Sequence, residues 1–311
     1  MVFSALKRLI REITLPFVRM YIRYFPLRFG KVTFFQRIAG PYFFMRPHEF
    51  SASTVHGVRV KGNARDYIQA WVYFFGLTEP SLTNWIEGSL RPGDTFVDVG
   101  ANIGCHSLLA SKLVGSIGSV VAIEASPSIF EVLKRNIALN RVHNVRAVNM
   151  AASDQRGVLK FYRAPSHDLG SSTTCPELGK EGYLLEAEVE AAPLGEILSP
   201  TELSHARVIK IDVEGAEAAV VRGLAAVLDQ CRPDLEIVVE IIPKYLAVLN
   251  KTFEDVLGIF GERGFHAYGL KSEYGPEPFL AGQPGAKPTR IRQPITDDTN
   301  VILSRRDVDE L

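Results

Sequence analysis

The pattern of apolar and polar positions changes twice along the chain. Over residues 1–25, Phe3, Leu6, Ile10, Ile13, Phe17, Met20 and Tyr24 recur every three or four positions, a single stripe down one helix. Lys7, Arg8, Arg11 and Arg19 fall mostly off it, and Pro16 is expected to kink or split the helix. Residues 26–66 lose the period: Gly30, Gly40, Pro41 and many aromatics read as an irregular or short-stranded lead-in. The stretch "RDYIQAWVYFFGLTEPSLTNWIEGSL" then reads as helical segments closing at Gly88 or near Pro92.

From Thr95 short apolar runs alternate with helical periods, the mark of a parallel sheet with crossover helices. Strands are expected at 95–99, 119–123, 145–149, 158–162, 186–190, 207–211, 236–240, 266–270 and 300–304. Runs such as "VVAI" and "EIVVEII" carry no alternation, as strands covered on both faces should not. One helix is well marked, with Ser126 as N-cap, Pro127 as first residue and Ile129, Val132, Leu133 and Ile137 as its buried stripe. Residues 271–298, rich in Gly and Pro, read as a long loop before the last strand.

Composition adds limits. The 311 residues have zero formal net charge, but residues 1–50 hold nine Lys/Arg against two Asp/Glu, so they are about +7 and the remainder about −7. A neutral body excludes wholesale nucleic-acid binding, which needs a basic face. The basic, aromatic first helix suits either the headgroup plane of a membrane or packing on its own domain. Three unevenly spaced cysteines, Cys105, Cys175 and Cys231, form no zinc or disulfide pattern and fit a reducing cytoplasm. No apolar run of signal-peptide or membrane-spanning kind stands at the N-terminus.

The chemistry concentrates at strand ends. "FVDVGANIGCHSLLA", from Phe96, is strand, glycine turn and helix, where open α/β sheets bind ligands. Gly100 and Gly104 bracket Asn102, Asp98 ends the strand, and the third glycine of a dinucleotide fingerprint is replaced by Ser107. An acid at that place suits a cofactor with a cationic amino-acid end better than a pyrophosphate. Glu124 ends the next strand, where a carboxylate accepts from both ribose hydroxyls.

These stretches, with "VVAIEASPSIFEVLKRNIALN", "NMAASDQRG" and "VIKIDVEGAEAAVVRGL", resemble the FkbM family of S-adenosyl-L-methionine-dependent methyltransferases over roughly residues 65–304. The resemblance implies an α/β, Rossmann-like class I methyltransferase fold: a seven-stranded, mostly parallel sheet with an antiparallel last strand. The strands near 158–190 would be an insertion, and residues 1–64 an N-terminal helical extension to a domain over 65–311. It further implies that Asp98 and Gly100 face the amino-acid end of the cofactor, that Asn102 and Gly104 shape the loop beneath it, that Glu124 holds the ribose, and that Ala152, Ser153 and Asp154 border the adenine.

"KIDVEGAE" raises the catalytic question. Asp212 and Glu214 are expected to orient and deprotonate an acceptor hydroxyl, with Lys210 placed on the opposite side of the strand and tuning them by charge. Glu217 reads instead as an acid at a helix N-terminus. A divalent cation at Asp212, Glu214 and Glu240 has suitable oxygen chemistry, but no motif requires it, and no metal ligand is assigned. "SHDLGSSTTC", residues 166–175, reads equally as substrate-side loop or solvated turn, with His167 its titratable base. Cys105 and His106 read as packing residues. "APLGEIL" departs from the family, with Gly195 where an acid is usual and Glu196 beside it. The function expected is O-methylation of a hydroxyl on a sugar, glycolipid or polyketide-like metabolite, by a cytoplasmic protein with peripheral membrane contact through residues 1–25. An N- or carboxyl-methyltransferase and a non-catalytic membrane-surface module are the alternatives; a nicotinamide dehydrogenase is disfavoured by the absent glycine.

Overall fold

The structure is a computed structural model that describes residues 14, 16–25, 30–40, 48–165, 167–179, 182–273, 275, 278–279 and 285–311. In chain order the strands are β1 (Glu49–Ser53), β2 (Arg59–Asn63), β3 (Thr95–Val99), β4 (Ser119–Ile123), β5 (Val145–Val148), β6 (Ala151–Ala152), β7 (Gly157–Arg163), β8 (Leu184–Ala192), β9 (Ala206–Ile211), β10 (Glu236–Ile241), β11 (His266–Lys271), β12 (Thr289–Arg290) and β13 (Thr299–Ser304). The helices used below are α1 (residues 16–24), α2 (Lys31–Phe34), α3 (Tyr67–Phe75), α4 (Pro80–Ser89), α5 (Cys105–Val114), α6 (Pro127–Asn140), α7 (Leu194–Ile197), α8 (Pro200–His205), α9 (Glu217–Ala225), α10 (Pro243–Val248) and α11 (Phe253–Gly261).

Each of the nine expected strands forms. The main sheet runs β12-β11-β13-β10-β9-β3-β4-β5, parallel from β10 to β5, with β13 antiparallel between β10 and β11. The expected seven strands are thus joined by an eighth, two-residue strand, β12, at the edge. β6, β8 and β7 make a separate three-stranded sheet, as expected for the insertion, and β1 and β2 pair as a hairpin.

Strand residues of odd number in β3, β9, β10 and β13, including Val97, Ile209, Val239 and Val301, pack in one core with α9 and α11. Their even neighbours Phe96, Val208, Val238 and Ile302 pack in a second core with Leu82, Trp85 and Ile86 of α4 and Ala110 of α5. That second face is apolar in the middle of the sheet. At the carboxyl ends of β3, β9 and β10, and at the amino end of the antiparallel β13, the same parity brings Asp98, Lys210, Asp212, Glu240 and Asn300, because residues two apart share a side.

α6 begins as expected: Ser126 accepts from the Ile129 amide and Pro127 is the first helical residue. Ile129 and Leu133 are buried, with Val132 and Ile137 packed behind them. Asn136 of α6 donates to Lys61 O (3.1 Å) and Ile103 O (2.9 Å) and accepts from Lys61 N, pinning the hairpin to the sheet domain. In the first segment, Phe3, Leu6, Ile10, Ile13, Lys7, Arg8 and Arg11 lie outside the described residues. Among the described residues no helix is long and apolar enough to cross a membrane. All three cysteines are unpaired.

Candidate functional site

The cleft opens beyond the carboxyl ends of β3, β4 and β9, with a cavity volume of about 70 Å³. The β3–α5 turn is shaped by two left-handed glycines. Gly100 has φ +82°, and a Cβ there would stand 1.7 Å from the carbonyl oxygen of Asp212, so the turn after β3 lies directly on the end of β9. Gly104, the N-cap of α5, has φ +91° and no room before Leu133. Between them Asn102, also left-handed at φ 50°, donates its amide to Glu124 Oε2 (2.8 Å). Glu124 Oε1 accepts from the Ser126 amide (2.9 Å). Both oxygens are therefore fixed, and burial raises the carboxyl pKa to about 7.

Gly100, Asn102, Glu124, Ala152, Asp212 and Glu214 line the cleft. Asp98, Gly104, Ser153, Asp154 and Lys210 do not. Asp98 is buried beneath the turn, accepting from Ser107 Oγ at 2.5 Å, while its Oδ1 is buried with no hydrogen-bond partner. Ser107, at the place of the missing third glycine, thus steadies the acid. Asp154 faces away and pairs with Arg222 (2.8 Å), and the Ser153 carbonyl packs where a side chain at position 223 would stand. Of the three residues assigned to the adenine, only Ala152 reaches the cleft; Ile129, Met150 and Phe161 line it with apolar surface instead.

Lys210 is not on the opposite side of β9 from Asp212. The two share a face, and the Nζ lies 2.7 Å from Asp212 Oδ2. Burial opposes both charges, but Asp212, Asp98 and Glu79 together hold the ammonium well above its usual range. Against burial, Lys210 in turn, together with a hydrogen bond between the Asp212 and Glu240 carboxyls, holds Asp212 below the usual carboxylate range. Glu214 is the opposite case. Burial, then the charges of Asp212 and Glu217, push its carboxyl well above the ordinary value. It sits at φ 54°, a strained angle for a side-chain-bearing residue, and its Oε2 is buried without a partner. Tyr245 of α10 hydrogen-bonds its carboxyl, and Thr173 Oγ1 donates to its carbonyl at 2.6 Å. Glu217 accepts from the Gly215 (3.0 Å) and Val213 (3.3 Å) amides, bracing the turn rather than facing the cleft.

The oxygens of Asp212, Glu214 and Glu240 come within 4.8 Å of one another. A hard cation accepts such a set, but Lys210 already supplies a positive charge to Asp212. Two further residues, Glu79 and His106, belong to this charged patch. Glu79, from "GLTEP", caps the sheet face with Oε1 3.0 Å from Asn300 Nδ2, and burial raises its pKa. His106 is buried with Nε2 3.5 Å from Thr83 Oγ1, kept neutral by burial and then Lys210, with a pKa near 4. Its packing role holds, yet it packs against charge; an acid in a turn before Pro80 and a histidine one turn from Asp98 were the available signals. Cys105 is inert, its thiol pushed up to about 12 by burial.

The loop around His167 is on the cleft side: Leu169, Gly170, Ser172 and Thr174 line the cleft. Ser166 lies outside the described residues. Asp66 Oδ2 accepts from the Leu169 amide (2.8 Å), and Tyr162 and Thr173 bridge through their backbones. Gly195 packs on Val227 and Glu196 pairs with Arg156, so the departure in "APLGEIL" does not border the cleft.

Comparison with known proteins matches residues 98–267 to the Methyltransferase FkbM domain. Methyltransferase sdnD of Sordaria araneosa is 32% identical over 161 residues, covering 43% of this chain and 61% of its own. The 31-O-demethyl-FK506 methyltransferase FkbM of Streptomyces tacrolimicus is 29% identical over the same length and shares. The chain thus spans about three fifths of these relatives. The crystal structure of methyltransferase FkbM from Methylobacillus flagellatus KT aligns at 14% identity and TM-score 0.41, over 76% of this chain and 52% of that one.

Proposed function

Since the chain belongs to the FkbM methyltransferase family, we propose that it transfers a methyl group from S-adenosyl-L-methionine to a hydroxyl of a small-molecule or glycan acceptor, a sugar, glycolipid or polyketide-like metabolite. The observation that carries this reading is a pair of buried carboxyl oxygens without partners, Asp98 Oδ1 and Glu214 Oε2, on either side of the Gly100 turn. The first lies beneath the turn that would receive the cofactor's amino-acid end, and the second stands on the acceptor side. The cofactor supplies an electrophilic methyl on a sulfonium. Glu124 accepts the ribose hydroxyls, Gly100 and Asn102 let the backbone come close, and Ala152 with Met150 and Phe161 offers an apolar slot to a planar base.

Asp212, held ionised by Lys210, orients the acceptor hydroxyl; Glu214, made more basic than usual by burial and by the charges of Asp212 and Glu217, would remove its proton as the oxygen attacks in line and S-adenosylhomocysteine leaves with the C–S bond pair. The charged patch works without a divalent metal, because Lys210 neutralises Asp212. Residues 65–311 form the catalytic domain, 1–64 its appendage, and residues 1–25 make a peripheral membrane contact in a cytoplasmic protein.

Calorimetry with S-adenosylhomocysteine against NAD tests the cofactor: the first binds and the second does not, and binding of NAD alone overturns the reading. Glu214→Ala and Asp212→Ala are expected to bind S-adenosylhomocysteine while turnover falls about 10²-fold or more. Folded variants with normal turnover would remove the catalytic assignment. Dialysis against EDTA leaves turnover unchanged; loss restored by Mg²⁺ would place a cation among these carboxylates.

A further inference from the structure

Helix α1 is inside out for a helix on a protein surface. Across residues 16–25 the exposed positions are Pro16, Phe17, Met20, Tyr24 and Phe25, none of them charged. Phe17 is 63% exposed, Met20 55%, Tyr24 66% and Phe25 46%. The two cations of the segment turn inward instead. Arg19 Nε donates to Tyr73 O (2.8 Å) with its guanidinium 4.7 Å from the Tyr73 ring centroid, and Arg23 Nη2 donates to Ser53 O (2.6 Å). Ile22 is buried, with Val18 and Tyr21 packed against the same core. The lower half of the apolar stripe therefore does not meet the body; it faces out.

Such a contiguous aromatic stripe marks an interaction surface. Its four large side chains offer on the order of 400 Å², half of the ~800 Å² that each partner of a stable protein interface buries. A second copy is thus a poor match in area. Charge points to a different occupant: residues 1–50 are about +7, and Lys7, Arg8 and Arg11 come just before the helix in sequence. Basic residues add attraction to anionic lipid, and aromatic rings settle at headgroup level. We propose that Phe17, Met20, Tyr24 and Phe25 seat the protein on an anionic lipid surface. This deepens the peripheral-contact reading above by naming the face. Tyr73, which holds α1, and Ile68, which lines the cleft, lie on the one helix α3 about 8 Å apart along its axis, so docking keeps the cleft near the surface.

The test is co-sedimentation of the full chain with phosphatidylcholine vesicles, with and without phosphatidylglycerol. Wild type is expected to pellet with the mixed vesicles and far less with the neutral ones. Phe17→Glu, Met20→Glu and Tyr24→Glu combined should lower partitioning at least about tenfold while the thermal melt is unchanged, since all three side chains are exposed. No binding by wild type overturns both the face and the peripheral contact. Equal binding by the variant overturns the face alone. A wild-type dimer in sedimentation equilibrium that the variant dissolves assigns the face to a second copy and overturns the proposal.

Discussion

At position 100 a single carbon separates a working turn from a broken one. A Cβ would lie 1.7 Å from a backbone oxygen, and φ +82° is closed to alanine besides. Gly100→Ala is therefore expected to weaken S-adenosylhomocysteine binding beyond detection by calorimetry, or to unfold the protein, through a loss of about 3 kcal/mol or more. The glycine was legible as a turn residue; its obstacle, the Asp212 carbonyl, comes from a distant strand and was not. Glu124 was legible for the same local reason, as an acid at a strand end. Its titration was not, since burial sets it. With a pKa near 7 the free protein carries a mixture of protonated and ionised Glu124 at neutral pH. Only the ionised form accepts from two hydroxyls, so affinity for S-adenosylhomocysteine should tighten as pH rises through 7 and level off above it. Glu124→Gln should bind about 10- to 100-fold more weakly with that pH dependence gone. Isothermal titration at several pH values checks both.

Between elements, one buried acid ties a helix to the loop over the cleft. Asp66 caps α3 by accepting the Gln69 amide at Oδ1 (3.0 Å) and holds the loop by accepting the Leu169 amide at Oδ2 (2.8 Å). An asparagine there can keep the cap, being as good an N-cap as aspartate, but turns N–H groups toward the Leu169 N–H. Asp66→Asn should thus raise the acceptor KM about tenfold while the cap itself survives; a kcat loss at constant KM would count against a positioning role. Burial raises Asp66 to about 6, so the folded state holds the proton more tightly than the unfolded chain, near 3.9. The stability this adds is complete below about pH 4 and lost as pH rises through 6, a window of about 3 kcal/mol that denaturation of Asp66→Asn should lack. The loop's polar composition fitted a solvated turn equally well, because its anchors lie in α3, β7 and the Glu214 carbonyl. Proximity in sequence showed none of them.

Across the whole molecule, what could be read in advance followed how each segment is buried. Strands covered on both faces, such as Thr95–Val99 and Glu236–Ile241, are fully buried and mostly apolar and announced themselves. β1 and β2 were legible only as part of an irregular or short-stranded lead-in: their inward positions include the small Ala52, and Gly62 stands where a side chain would strike Gln69, so the apolar signal is weak. The charged patch was half legible, since Lys210 and Asp212 share a motif while Glu79, His106 and Asn300 reach it from other elements. The hairpin decides how the proposed appendage and catalytic domain depend on each other. Phe50, Ala52, Val58 and Val60 are buried in one core with Trp71, Phe74 and Phe75 of α3 and Ile129 of α6. Uncovering that surface removes on the order of 5 kcal/mol, comparable with the ~5–15 kcal/mol stability of a whole domain. A fragment of residues 48–311, which loses Ile22 and Phe35 from that core, should melt below the full chain yet still bind S-adenosylhomocysteine. The fragment 65–311 should melt at least about 5 °C lower, because the glycine turn and Glu124 remain but α3 loses its cover. Equal melting of the two fragments in calorimetric scans would show that the hairpin only rests on the domain, and the Asn136 bonds to Lys61 would then be contacts without consequence for stability.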